Sequence, residues 1–370
     1  MNPFSTLDCA KLGRVNGVDE DVNKPAIKRQ GVGLCLSGGG YRAMLFHTGA
    51  LWRLNEVGWL PKLDYVSSVS GGSIAAGVLA QAWPKLKFSH GVAENFTEEV
   101  VGPIRKLAGT RVDLPAVLRG MVKPWRSVGE ELADAYAKHL YGDIRLEELD
   151  PTGPHFVFTA TSLQDGALWW FFRQSGPHGQ VPLATAVAAS SAFPPFMSPV
   201  VIPDPLSPGS SRKIVLSDAG VYDNLGLDPV EGHCAIVLVS DAGKRMKPQE
   251  NVKRSWPSQV LRVLDIIDNQ VRELRTGALL KSYVDKDFGG TYWGSYSDIS
   301  HFELPDTLPA PLAKTRLLAE KSTRLTKTRV DVQEHLINWG YAACDAGMRK
   351  WVDTDAGAPI GFPYQSAGVG

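Results

Sequence analysis

Apolar and polar positions along this chain fall into blocks that switch between two periods. Residues 31–36 (GVGLCL) are a short apolar run of the kind a buried strand makes. Residues 41–58 then place Met44, Leu45, Leu51, Leu54 and Val57 at helical spacing. A second apolar run at 65–69 leads through Ser70-Gly71-Gly72 into a second helical stretch. Further strands are predicted at 155–161, 167–172, 213–216 and 235–240, with an amphipathic helix over 128–140. Single strands alternating with helices predict an α/β fold, a three-layer sandwich whose mostly parallel central sheet carries helices on both faces. Ligands are then expected beyond the carboxyl ends of the strands.

After Lys244 the pattern turns helical, with one stretch over 258–281 and a pair within 312–351. An aromatic, glycine-containing loop around 289–296 separates them. No Pro/Gly/Ser linker divides the chain, so this region is expected as a C-terminal helical layer on one domain. The expected organisation is an N-terminal arm over 1–30, a catalytic domain over 31–353 and a flexible Gly/Ala/Pro-rich tail over 354–370. Within the domain, 31–245 is the catalytic core and 246–353 the mainly helical extension.

A hydrophobic content of 44% supports a substantial core, and 39 basic residues cancel 39 acidic ones. That balance argues against a nucleic-acid polymer as partner. The four cysteines are dispersed, with neither metal-ligand nor disulfide spacing. Residues 65–83 carry no charge, yet Ser70–Gly72 would break a helix there, so no membrane span is expected. The amino terminus lacks the apolar core of a signal peptide, and the expected location is cytoplasmic, peripheral to the inner face of the membrane.

Three segments carry candidate chemistry. In Ser37-Gly38-Gly39-Gly40-Tyr41-Arg42, three glycines can turn successive amides toward one point at the start of a helix, a setting that suits an oxyanion. A phosphate loop would use similar geometry, but its lysine and hydroxyl are absent. Arg42 either pairs with a substrate phosphate or anchors the loop through a buried salt bridge. In Ser68-Val69-Ser70-Gly71-Gly72, small residues two before and two after Ser70 meet the demand of a nucleophile elbow, the alternative being a helix-capping turn. The third segment is a strand ending in Ser217-Asp218-Ala219-Gly220. It sets Asp218 at another strand's carboxyl end, where a carboxylate could take the Ser70 proton directly. Asp223 competes from a setting that reads as a turn. Among the histidines, His301 and His335 fall where a late triad member would, and neither has a distinctive setting.

Together these segments resemble the patatin-like phospholipase family and the related cytosolic phospholipases with a Ser-Asp dyad. Such enzymes combine a glycine-rich loop ending in a basic residue, a G-x-S-x-G serine and an Asp-Gly-Gly/Ala aspartate. The resemblance covers residues 31–245 and extends to 186–195 (AVAASSAFPP), similar to a segment that lines the family's pocket. Ser37, Ser68 and Ala219 depart from the family pattern. By this resemblance Ser70 is the nucleophile, Asp218 the base, and Gly38, Gly39, Gly40 and Arg42 the oxyanion loop, with no cofactor or metal.

The reaction implied is hydrolysis of carboxylic esters in membrane phospholipids, of phospholipase A or lysophospholipase type. A carboxylesterase for small soluble esters and a catalytically silent lipid-binding regulator are the alternatives. Some bacterial members of the family are defence effectors switched on by cyclic nucleotides, so a cyclic nucleotide activator is a further expectation. Lys314, Arg316, Lys321 and Arg324 are expected to meet an anionic membrane surface, against the plainer reading of a solvated helix face. With an aspartate that titrates at about 4 as base, the acid limb of the rate profile is expected well below neutrality unless burial raises it. The aromatic cluster at 169–172 is expected in the core, and that at 292–296 in a lid or surface loop.

Overall fold

The computed structural model describes residues 29–112, 127–194, 197–205, 207, 209–253 and 255–370. One sheet holds β1 (Val32–Leu36), β2 (Tyr65–Ser68), β3 (His155–Ser162), β4 (Leu168–Phe172), β5 (Val200–Pro203), β6 (Lys213–Asp218), β7 (Ile236–Asp241) and β8 (Gly289–Gly294). Strand order is β8-β7-β1-β2-β3-β6-β5, and β4 also pairs with β3. Neighbours from β8 through β3 are parallel, while β4, β5 and β6 pair antiparallel. The expected parallel sheet is therefore its central part, and the strand that ends in Asp218 runs against it.

The longer helices among the described residues are α1 (Gly40–Glu56), α2 (Gly71–Ala82), α3 (Gly102–Ala108), α4 (Val128–Tyr136), α5 (Leu183–Ser190), α6 (Trp256–Asp285), α7 (Leu312–Ala319) and α8 (Val330–Trp351). Strand periodicity of two divides side chains between the sheet's faces. Leu34, Leu36, Val66 and Leu238 enter a large core with α1, α2 and α8. Cys35, Tyr65, Val237 and Val239 enter a smaller one, to which α6 gives Leu279. Glycines let α1 and α8 cross closely. A Cβ on Gly49 would fall 1.9 Å from the Ile337 carbonyl oxygen, and one on Gly340 1.8 Å from that of Phe46. Arg53 of α1 and Asp345 of α8 form a buried ion pair at 2.8 Å.

Two expectations are corrected. Residues 289–294 form the edge strand β8 rather than a loop: Trp293 is fully buried, and the Tyr292 hydroxyl donates to Asp241 at 2.6 Å. The tail is docked rather than flexible, because Phe362 and Val369 are buried and the Asn338 amide donates to the Tyr364 and Gly368 carbonyls. Strand β5 was not expected at all. Trp169 and Phe171 of β4 are buried, as expected. All but the last two residues of the expected N-terminal arm lie outside the described residues. Among the described residues no helix is long and apolar enough to cross a membrane, and 65–83 divides into β2, a turn and α2.

Candidate active site

The sheet register brings the two key segments together. Phe158 of β3 pairs with Ser68 of β2 and with Phe171 of β4, so β2 and β4 lie on opposite sides of β3. Ala160 pairs with Trp169 of β4 and with Asp218 of β6, so β6 shares its side with β2. Parallel β2 and antiparallel β6 thus point their carboxyl ends at each other along one edge of β3, two residues apart on that strand. Thr159 and Thr161 mark the junction, their hydroxyls donating to the Ser68 and Asp218 carbonyls at 2.9 Å each.

Ser70 follows β2 at φ 51°, ψ −116°, in the left-handed half of backbone space that a side chain enters only when its surroundings enforce it. The enforcement is visible. Gly72 lies so close to β1 that a Cβ would fall 2.2 Å from the Leu36 carbonyl oxygen, and the Ser70 amide donates to the Ser190 hydroxyl at 2.9 Å. Ser68, which departs from the family pattern, needs no unusual angles because it ends a regular strand. Its hydroxyl donates to the Val157 carbonyl and accepts from Ser73, which also bonds Ser190. A chain of hydroxyls therefore holds the turn from behind.

Across from it, Gly39 (φ 141°) precedes α1 and Gly40 (φ 58°) opens it. Gly40 and Gly71 are the first residues of α1 and α2, whose leading amides have no partner within their helices. The two helix starts touch: a Cβ on Gly71 would fall 2.2 Å from the Gly40 carbonyl oxygen. Both helix dipoles thus place positive potential beside Ser70.

Gly38 and Arg42 have other partners than expected. The Gly38 amide donates to the Asn224 carbonyl at 3.1 Å, because the 219–226 loop closes over it. Arg42 is buried and forms no salt bridge among the described residues. Its guanidinium donates to the backbone carbonyls of Ala319, Lys321 and Ala242, with one nitrogen lying against Gly39. It ties the loop to the segment after α7, whose Thr323 carbonyl packs directly on Gly40.

Asp218 is buried, and Oδ1 accepts from the Gly220 amide at 2.7 Å. Burial raises its pKa to about 7, against the lowering effect of the Gly220 amide and the Ser70 hydroxyl, with Asp268 of α6 adding a small upward push. The Ser70 hydroxyl is near enough to favour the charged form, while Oδ2 is buried with no hydrogen bond of good geometry among the described residues. Burial of this kind is the exception under which the acid limb is not expected well below neutrality. The competitor Asp223 accepts the Leu225 and Leu227 amides at 2.9 and 2.7 Å and staples its own loop. His301 is 82% exposed beside Asp298, and His335 lies against Gly370. His47, buried between Ser240 and the Ser37 carbonyl, is pushed down to about 4 by desolvation and stays neutral.

Three residues in contact with the candidate site escaped the sequence reading. Ser190 sits in the 186–195 segment already singled out, Asn224 in the Asp-Asn-Leu-Gly turn, and Gly71 directly after the serine, where an elbow's own amide faces the oxyanion. Only the last has a local signal.

A family model described as patatin-like phospholipase matches residues 34–230, more than half of the chain. The chain belongs to the patatin-like phospholipase family. An uncharacterised NTE family protein from Mycobacterium tuberculosis is 26% identical over 237 residues, 62% of this patatin-like chain and 56% of the relative. The chain thus spans little more than half the length of that relative. Among solved structures, human GIVD cytosolic phospholipase A2 is similar with a TM-score of 0.48 and 12% identity, covering 87% of this chain and 61% of that one. VipD from Legionella pneumophila is similar with a TM-score of 0.36 and 16% identity, covering 86% and 66%.

Proposed function

We propose that this patatin-like protein is a lipid acyl hydrolase in which Ser70 attacks the ester carbonyl and Asp218 receives its proton. The observation that carries this reading is the meeting of β2 and β6 end to end on β3, which sets a strained serine beside a buried, incompletely satisfied carboxylate. Attack forms the Oγ–C bond and a tetrahedral oxyanion, held by the amides of Gly40 and Gly71 with Gly39 beside them. Collapse breaks the ester C–O bond, and the departing alcohol takes the proton back from Asp218. Water then attacks the acyl-serine by the same route, with Asp218 again as base. Gly38 and Arg42 serve this scheme as positioning residues, one pinned to Asn224 and the other bracing the loop.

The test is product analysis with purified wild type, Ser70→Ala and Asp218→Asn on phospholipid vesicles and on a small soluble ester. Release of fatty acid by wild type alone supports the proposal. Turnover confined to the small ester identifies a carboxylesterase instead. Wild-type protein that neither turns over nor labels at Ser70 with a fluorophosphonate would leave a lipid-binding role.

A further inference from the structure

Helix α6 is laid on the domain inside out. Of its thirty residues only Arg272 and Leu279 are buried. Most of its contacts inward are polar: Arg272 donates to Asp241 at 2.6 Å and to the Lys244 carbonyl at 2.8 Å, Arg275 to Asp228 at 2.7 Å, and Arg262 to the Lys247 carbonyl at 2.8 Å. Six of the ten large apolar side chains exposed on this helix point outward together: Trp256, Val260, Val263, Leu264, Ile267 and Leu274, exposed by 76, 48, 51, 46, 53 and 73%. At 3.6 residues per turn these six fall within an arc of about 100°. Soluble domains rarely leave so continuous an apolar stripe bare, and single exposed residues do not explain it.

Charge and position identify what covers the stripe. Exposed Lys244, Arg245 and Lys253 precede the helix. The Lys247–Glu320 ion pair at 2.7 Å joins this end to the segment carrying exposed Lys321 and Arg324. Glu250 and the paired Glu320 are the acidic residues on these two segments. An apolar helix face with a cationic rim matches a bilayer interface containing anionic lipid. On the inward side of the helix, Arg275 lies over the Tyr222 ring at 5.3 Å, next to exposed Val221 on the Asp218 loop. Phe193, 53% exposed, follows Ala192, whose carbonyl accepts the Asp218 amide.

We infer that the outward face of α6 is the protein's docking surface for an anionic lipid bilayer, seating the Ser70 site at the water–lipid boundary. The inference rests on the lipid hydrolase reading for its purpose, not for its measurement. Vesicle sedimentation of the full chain in a Ser70→Ala background reads docking without turnover. Wild-type hydrolysis of a soluble monomeric ester separately tests the hydrolase reading. Phosphatidylcholine vesicles containing phosphatidylglycerol should bind the protein, and salt should weaken that binding. Val263→Glu with Ile267→Glu should cut partitioning by about tenfold or more, and Lys253→Glu with Lys321→Glu by a smaller factor that salt erases. Melting temperatures should stay at the Ser70→Ala value, since all four side chains are exposed. Unchanged partitioning of the Val263/Ile267 variant overturns the inference. So does a wild-type dimer in light scattering that this variant converts to monomer.

Discussion

On one face of the sheet α1 and α8 cross at Gly49 and Gly340 and bury their apolar sides, whereas on the other α6 meets the domain through arginines and carboxylates. Both faces serve the same site. Close apolar packing holds α1 and α2 so that their starts, Gly40 and Gly71, touch beside a strained serine. The polar seat of α6 braces the loops after β6 and β7 and sets a carboxylate near Asp218. Geometry comes from packing that tolerates no added atoms, and the raised pKa of Asp218 from burial, to which the seat of α6 adds only a small charge effect. The difference explains why α6 keeps its apolar side for something outside the domain.

The largest effect should come from the geometric side. Ser70→Ala should lower ester hydrolysis on the order of 10³-fold or more while leaving the melting temperature within about 2 °C. Residual turnover at the wild-type rate would remove Ser70 from the mechanism. Asp218→Asn should cost about 10²–10⁴-fold, the range of a general base.

Packing is the next contrast. Gly340→Leu should destabilise the protein by about 3 kcal/mol, because the new side chain meets the Phe46 backbone, while Ile267→Ser on α6 should change stability by less than about 0.5 kcal/mol. Equal losses in denaturant melts would erase the distinction between the faces.

The electrostatic side predicts pH dependence. With Asp218 raised to about 7, hydrolysis should fall as pH drops below about 7 and the base becomes protonated. A histidine would titrate in the same range, so only the variants distinguish the two: the limb should survive replacement of His301 or His335. Linkage has a definite sign. The unfolded aspartate ionises at about 4 and the folded one at about 7, so Asp218 removes stability as pH rises between those values. Asp218→Asn should therefore be more stable than wild type at pH 8 and lose that advantage near pH 4. The smallest effect belongs to Asp268→Asn, which should move the acid limb slightly toward lower pH by removing a nearby negative charge.

Much of the fold was legible because strands and helices write their periods locally. Runs such as 31–36 and 235–240, and the glycine turns between strand and helix, need no long-range information. The aromatic run at 289–296 misled because an edge strand holding several glycines reads like a loop until β7 pairs with it. The tail misled because composition does not record that Asn338, Phe362 and Val369 lock it to the domain.

By itself the sequence determined the α/β class, the family and the serine and aspartate at two strand ends, since each depends on residue type and near neighbours. Tertiary structure decided the rest. The reversed direction of β6, the diversion of Gly38 and Arg42 to backbone partners, the burial that lifts Asp218 and the outward turn of α6 all arise between residues far apart in the chain. Their energies depend on which groups meet and how much water is excluded, and neither quantity is written in any local window.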